Sequence, residues 1–222
     1  MTEIAPALTP AIRAALAMNE VGGDSSRAYR LSFAGQAASG ASFGVFQADC
    51  AANPRALATL LRILQGAKVP GSELARILEP LRAPCRVNPL NGQDTALVDT
   101  ALASAQGRGL VDALDRLSLD AVLADLGLAL DAATVAGNSI DPGAQIAIAL
   151  WCNMSGRPTT LRSWLGGNAV SENGVRIEAP SQPISLADIE RYLTHTNFFS
   201  AHPQDWPHFL ASIQAGLRRA AA

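Results

Sequence analysis

Charge is sparse in this sequence. Only 16% of its 222 residues are Asp, Glu, Lys or Arg, the net charge is -2, and no Lys/Arg run occurs. A nucleic-acid binder carries a clustered basic surface, so that class is excluded. The slightly acidic balance gives no attraction to an anionic polymer either, which bears on capture rate and not on bond-breaking chemistry. With 49% hydrophobic residues beside so few charges, disorder is excluded as well. Cysteine occurs only at Cys50, Cys85 and Cys152, an odd number at wide spacing. Neither a zinc site nor a disulfide framework follows from that; three small buried thiols is the plainer reading, with a Cys50–Cys85 bridge left open. Long apolar runs are missing too. A bilayer span needs about 20 continuous apolar residues, so a membrane span is excluded and no membrane partner is expected. The start, with Glu3, Pro6 and Pro10, lacks the basic opening and unbroken apolar stretch of a secretory leader. The chain is therefore expected to be made in the cytoplasm and to reach any outside substrate by a non-Sec route or by lysis.

What is abundant is Ala and Leu, the strongest helix formers, and the expected fold is accordingly mainly α. Thr9-Pro10 has the form of an N-cap followed by a first-turn proline. Ile12, Ala15, Leu16 and Met18 continue at helical spacing, with Glu20 in the last turn and Gly22-Gly23 as the stop. YRLSF and ASFGVF, separated by GQAASG, predict a small β-hairpin lobe between residues 28 and 45. Asn53-Pro54 predicts a helix over 55–64, and Gly71-Ser72 another over 73–79, stopped by Pro80. Residues 95–133 read as two or three helices, interrupted around Gly107-Arg108-Gly109 and Ser118. Asp141-Pro142 opens a strongly apolar helix, AQIAIALWCNM, followed by a shorter helix over 157–165. A polar loop or hairpin (168–182), a helix capped by Ser185 and a last helix over 205–219 complete the chain. With no repeat and no linker, residues 1–222 are expected to form a single domain.

Three segments carry chemistry. In MNEVGG, a carboxylate ends an apolar helix before a glycine turn. A glutamate in such a wall is desolvated and held protonated, which is the state glycosidic cleavage needs in its acid. A solvated helix end is the plainer alternative. In SGASFGVFQAD, Gly40 and Gly44 permit a tight turn, and Gln47 and Asp49 share one face of an extended chain beside the polar Ser42. That pairing suits saccharide hydroxyls; a hairpin with polar tips is the alternative. In ALWCNMSGRPTTLRSWLGG, Asn153 offers an amide suited to an acetamido sugar and Trp151 an aromatic platform, against a capping Asn and a core Trp. Tyr192 is a further candidate at the cleft rim, or a core residue. His195, His202 and His208 fit no metal-binding spacing, no GxSxG elbow occurs, and the glycines of GASFG have no lysine beside them. No metal and no cofactor are expected.

Taken together and in order, these segments resemble the lysozyme-like superfamily, specifically goose-type lysozymes and lytic transglycosylases. The helix-ending Glu20, the turn Phe43-Gly44-Val45-Phe46-Gln47-Ala48-Asp49, and Trp151-Cys152-Asn153-Met154-Ser155-Gly156 with its later Trp164-Leu165 pair follow the family's sequence of motifs. Val21 stands where the family has Ser, the Asn-Gly segment carries an extra residue, and the stretch from Asp49 to Asn153 is longer. The resemblance implies an α+β lysozyme-like fold, a helical bundle with a β-hairpin lobe beside a cleft and inserted helices around 66–140. It implies a glycoside hydrolase, a muramidase cutting the MurNAc-GlcNAc β-1,4 bond of peptidoglycan, with Glu20 as general acid. Asp49, or alternatively Asp24, would be the second carboxylate. Gln47, Ser42, Asn153, Trp151 and Tyr192 would contact substrate. A lytic transglycosylase or a chitinase/chitosanase on the same fold remains open, as does a non-catalytic scaffold that binds glycan or protein. A phage-type lysin or a secreted antibacterial effector are the expected settings, the latter with an immunity protein as partner.

Overall fold

The computed structural model describes residues 4–35 and 39–221, so Glu3 and the centre of the turn expected at 35–40 lie outside the described residues. The architecture is mainly α with a small β lobe. Helices α1 (Leu8–Val21), α2 (Pro54–Gly66), α3 (Gly71–Leu78), α4 (Gly92–Ala103) and α5 (Ala105–Val135) come first, with strands β1 (Ser32–Phe33), β2 (Ala41–Phe43) and β3 (Ala48–Asp49) between α1 and α2. Then come α6 (Pro142–Ser155), α7 (Thr159–Leu165), the hairpin β4 (Val170–Glu172) and β5 (Val175–Ile177), and α8 (Leu186–Leu193), α9 (Asn197–Ala201) and α10 (Trp206–Ala220). Among the described residues no helix is long and apolar enough to cross a membrane.

By its internal contacts the chain divides into two compact units, residues 20–118 and residues 1–19 with 119–222. The boundary falls inside α1 and inside α5.

In the unit of residues 20–118, short strands rest on helices. β1, β2 and β3 form an antiparallel sheet in which Ser32 pairs with Ser42 and Ser42 with Asp49. The expected hairpin is thus a three-stranded sheet, and the Tyr29 end of YRLSF is a 3-10 helix (Ser25–Tyr29). Strands of two or three residues cannot stand alone. Ala41, Phe43, Ala48 and Cys50 of the lobe join Leu60, Leu64, Ile77, Leu81 and Leu102 of the helices in one buried cluster. Asn53 caps α2 by accepting the Arg55 N–H at 3.0 Å, as its sequence position predicts. Pro80 does not end structure outright: α3 runs to Leu78 and continues as a 3-10 turn, Glu79–Arg82.

The break expected near Gly107 is at Ser104 instead, and α5 runs unbroken for 31 residues through Gly107, Gly109 and Ser118. Ser104 Oγ accepts the Gly107 N–H at 3.0 Å and donates to the Ala101 carbonyl at 2.7 Å, so it caps the new helix. A Cβ on Gly107 would lie 2.0 Å from the Ala101 carbonyl oxygen. The glycine is there for close passage of two helices, not to interrupt one.

In the other unit, α6 is buried along most of its length, with Gly143, Ala144 and every residue from Ile146 to Cys152 inside. Asp141 caps it, accepting the Ala144 N–H at 2.6 Å and, through its second oxygen, the Leu186 N–H at 3.0 Å. Gly156 ends it at φ 71°. α1 begins at Leu8, one residue before the expected cap, so Thr9 and Pro10 lie in its first turn; Leu8, Ala11, Ile12, Ala15 and Leu16 form its buried stripe. Gly216 of α10 lets the helices meet, since a Cβ there would sit 2.8 Å from the Ala11 carbonyl oxygen.

Candidate functional site

The segment from Glu20 to Asp49 is built almost wholly from local rules. Glu20 stands half-buried in the last turn of α1, next to the buried Val21. Gly22 and Gly23, at φ 65° and 77°, take the left-handed conformation that turns the chain away. Asp24 then caps the 3-10 helix: its Oδ1 accepts the Ser26 N–H at 3.0 Å and the Ser26 hydroxyl at 2.7 Å. Those bonds, the hydroxyl's first, hold its carboxyl below the usual carboxylate value. Asp24 is exposed, and its work is capping.

Gln47 is the best-defined polar group of the lobe. It takes φ 48°, a left-handed backbone that costs a non-glycine residue energy. Its amide is gripped at both ends: Ser32 Oγ donates to Oε1, and Nε2 donates to the Gly44 carbonyl at 2.9 Å. An amide has two acceptor lone pairs and two N–H groups, so one of each is left over, pointing from a fixed frame. Ser42 lies in the row between Ser32 and Asp49, is 8% exposed, and its carbonyl, 3.2 Å from Ser32 Oγ, shares the single hydroxyl hydrogen that Gln47 Oε1 takes more closely.

Asp49 is more committed than its sequence position suggests. Oδ2 accepts the Gly40 N–H at 2.7 Å, while Oδ1 accepts those of Ala51 at 2.7 Å and Ala52 at 3.2 Å. Three of about four lone-pair sites are therefore spent on holding the chain. Gly40 is required by the same arrangement, because a Cβ would fall 2.7 Å from Asp49 Oδ1.

The remaining candidates belong to the other unit. Asn153 is half-buried in the last turns of α6. Trp151 is 9% exposed and packs on Phe199, ring centroids 5.9 Å apart. Tyr192 is 1% exposed, packs at a tilt against Trp164 with ring centroids 5.1 Å apart, and donates its hydroxyl to Glu172 at 2.6 Å. A sugar platform needs an open ring face, which neither ring has; both are core side chains. Burial drives the Tyr192 hydroxyl far above its ordinary pKa, with the Glu172 bond adding to it.

Three supporting residues escaped the sequence reading. Asp99 accepts the Leu31 N–H at 2.9 Å, and Asp112 accepts the Tyr29 hydroxyl at 2.8 Å beneath an Arg108 guanidinium 4.6 Å above the Tyr29 ring. Asp115 accepts the Val45 N–H at 2.9 Å and that of Phe46 at 3.3 Å. The signal for Asp115 was present: it follows Val111 and Leu114 on the apolar stripe of its helix, where a carboxylate needs a partner. In the other unit, His208 of α10 bonds the Asn19 carbonyl at 2.9 Å, one residue before Glu20.

The three cysteines are free; burial pushes Cys50 and Cys152 up to about 12, which keeps them protonated at neutral pH. Among the described residues no group of three or more His, Cys, Asp or Glu is placed to hold a metal ion. Comparison with family models, with curated proteins and with solved structures found no match.

Proposed function

We propose that this protein cuts the β-1,4 glycan strand of peptidoglycan, with Glu20 as proton donor. The observation that carries the reading is the Gln47 amide, clamped by Ser32 and Gly44 in a left-handed turn and left with one donor and one acceptor for a sugar. A group fixed before substrate arrives loses little entropy on binding. It stands in the segment that opens on Glu20, the order the resemblance implies. Glu20 gives its proton to the glycosidic oxygen as the C1–O bond breaks and the leaving sugar departs as an alcohol. Completion by water, whose oxygen joins C1 while its proton is taken up by a carboxylate, gives a reducing end and is hydrolysis.

One observation favours a second outcome. Asp49, the expected water-activating carboxylate, holds three backbone N–H groups. With a single working acid, C1 is taken by a hydroxyl of the same sugar, whose proton returns to Glu20, and the product is an anhydro-sugar. The test is turbidity of purified peptidoglycan with wild type and Glu20→Gln, followed by mass spectrometry of the fragments. Clearance by wild type, and a loss of at least about a hundredfold in the variant, is expected for a missing general acid. Reducing or anhydro ends then name the reaction. A folded wild type that leaves the suspension unchanged overturns the reading.

A further inference from the structure

We infer that Asp115, which lies in the helical stretch between the family-like motifs, is a positioning residue for Gln47, an assignment that rests on the glycan-cleaving reading above. Asp115 is 4% exposed, so its carboxylate needs compensation inside the fold. It finds this in two successive backbone N–H groups of the lobe, Val45 on Oδ2 at 2.9 Å and Phe46 on Oδ1 at 3.3 Å. Consecutive N–H groups converging on one anion form a concave nest, which fixes the orientation of the peptides that supply them.

The neighbouring glycine shows how closely the two fit. Gly44 takes φ 83°, and a Cβ there would stand 2.6 Å from Asp115 Oδ1. Thus the carboxylate occupies the space a side chain at position 44 would need, and the turn's shape and its anion are matched. The carbonyl of that same Gly44 accepts both the Gln47 N–H at 3.2 Å and the Gln47 side-chain Nε2 at 2.9 Å. Its own N–H is donated to the Ala28 carbonyl at 2.7 Å. Orientation therefore passes from α5, through Asp115 and the Gly44-Val45-Phe46 peptides, to the amide that would meet the sugar. The aspartate acts through another residue; its carboxylate is inside the fold and meets no substrate.

The experiment compares wild type, Asp115→Asn, Gln47→Ala and the double variant. The first readout is the Gln47 side-chain amide pair in a nitrogen–proton NMR spectrum, assigned by its loss in Gln47→Ala. Asparagine keeps one acceptor and turns a donor towards an N–H, so the Gln47 pair should shift or split in Asp115→Asn while well-dispersed core signals persist. An unmoved pair overturns the inference, whether or not the protein cuts glycan. The second readout is kcat and KM on a soluble glycan fragment, well below the melting temperature. Asp115→Asn should lower kcat about tenfold to a hundredfold, as misplacement by an ångström does. It should do so only with Gln47 present, because effects through a shared partner do not add. An equal further loss in the Gln47→Ala background overturns the positioning role. Should Asp115→Asn fail to fold, Asp115→Glu keeps both acceptors displaced by one methylene, and the same two readouts decide. An inactive wild type with a shifted Gln47 pair would sink the glycan reading and leave the structural coupling standing.

Discussion

Between Tyr29 and Asp49 the strands are two or three residues long, and side-chain carboxylates do the holding: Asp99, Asp112 and Asp115 from the helices, and Asp49 from within. Between Trp151 and Phe209 ring packing takes the larger part. Phe199 alone meets Trp151, Phe198, Trp206 and Phe209 at centroid distances from 5.0 to 5.9 Å, three of the four edge-on. A charge-assisted bond is directional and fixes one geometry; packed area is nearly isotropic and fixes a volume. The lobe is therefore built to hold a shape, and the aromatic region to supply cohesion. A recognition surface needs the first, and under the proposed glycan-cutting function that singles out the lobe's Gln47 over the buried Trp151 and Tyr192.

Removing packed area should show the largest effect. Phe199→Ala leaves four rings facing a void, and a loss of about 3–5 kcal/mol in denaturant unfolding is expected for a buried phenylalanine. A loss below about 1 kcal/mol would mean that the cluster closes over the gap and that its cohesion is not specific to those rings. Next comes shape. Gly44→Ala adds only one methyl, yet it meets an unfavourable φ of 83° and a carboxylate oxygen 2.6 Å away. A cost of about 3 kcal/mol is expected from strain and crowding together. Unlike the phenylalanine change, it should also displace the Gln47 amide resonance, since Gly44 supplies that amide's acceptor. Full stability with an undisturbed Gln47 signal would remove the distinction drawn between the regions.

Much of the fold was legible because it is decided locally. Asn53, Asp141 and Ser185 each cap the helix they precede, and Gly22-Gly23 ends the helix that carries Glu20. A cap needs only partners two or three residues away, so a short window contains its cause. What was not legible depends on distant partners. Gly107 looks like a helix breaker until the Ala101 carbonyl is seen pressed against it, and the third strand exists only because Ser42 pairs with Asp49. The site divides in the same way. Gln47 and Asp49 could be picked out by type, but the shared face of an extended chain was not borne out, since Gln47 lies in a left-handed turn, and the three amides that occupy Asp49 are a matter of loop geometry. Asp115 supports a turn about 70 positions earlier in the chain. For Trp151 and Tyr192, residue type alone could not separate a platform from a core ring.

The smallest effect tests how much the aromatic half gains from the lobe's device, which it uses at Asp141 and Glu172 and again at Asp188. Its Oδ2 accepts the Ser185 N–H at 3.0 Å and the Ser185 hydroxyl at 2.7 Å, and its Oδ1 accepts the Ser181 hydroxyl at 3.0 Å. Burial alone would raise this carboxyl, but the Ser185 and Ser181 bonds and Arg191 outweigh it and hold the pKa below the ordinary 3.8. A carboxyl lowered on folding stabilises the native state above its unfolded pKa, and that contribution fades as pH falls through the lower folded value. Ser185→Ala removes the cap hydroxyl and one of those bonds, at a cost of about 1 kcal/mol near neutrality. Because the lost bond is to the ionised carboxylate, the difference in Tm between wild type and variant should hold from pH 7 to about pH 5 and narrow below 3.8. A constant difference down to the acid limit would show that Ser185 acts only on the helix N–H groups and that its bond to the Asp188 carboxylate adds no stability.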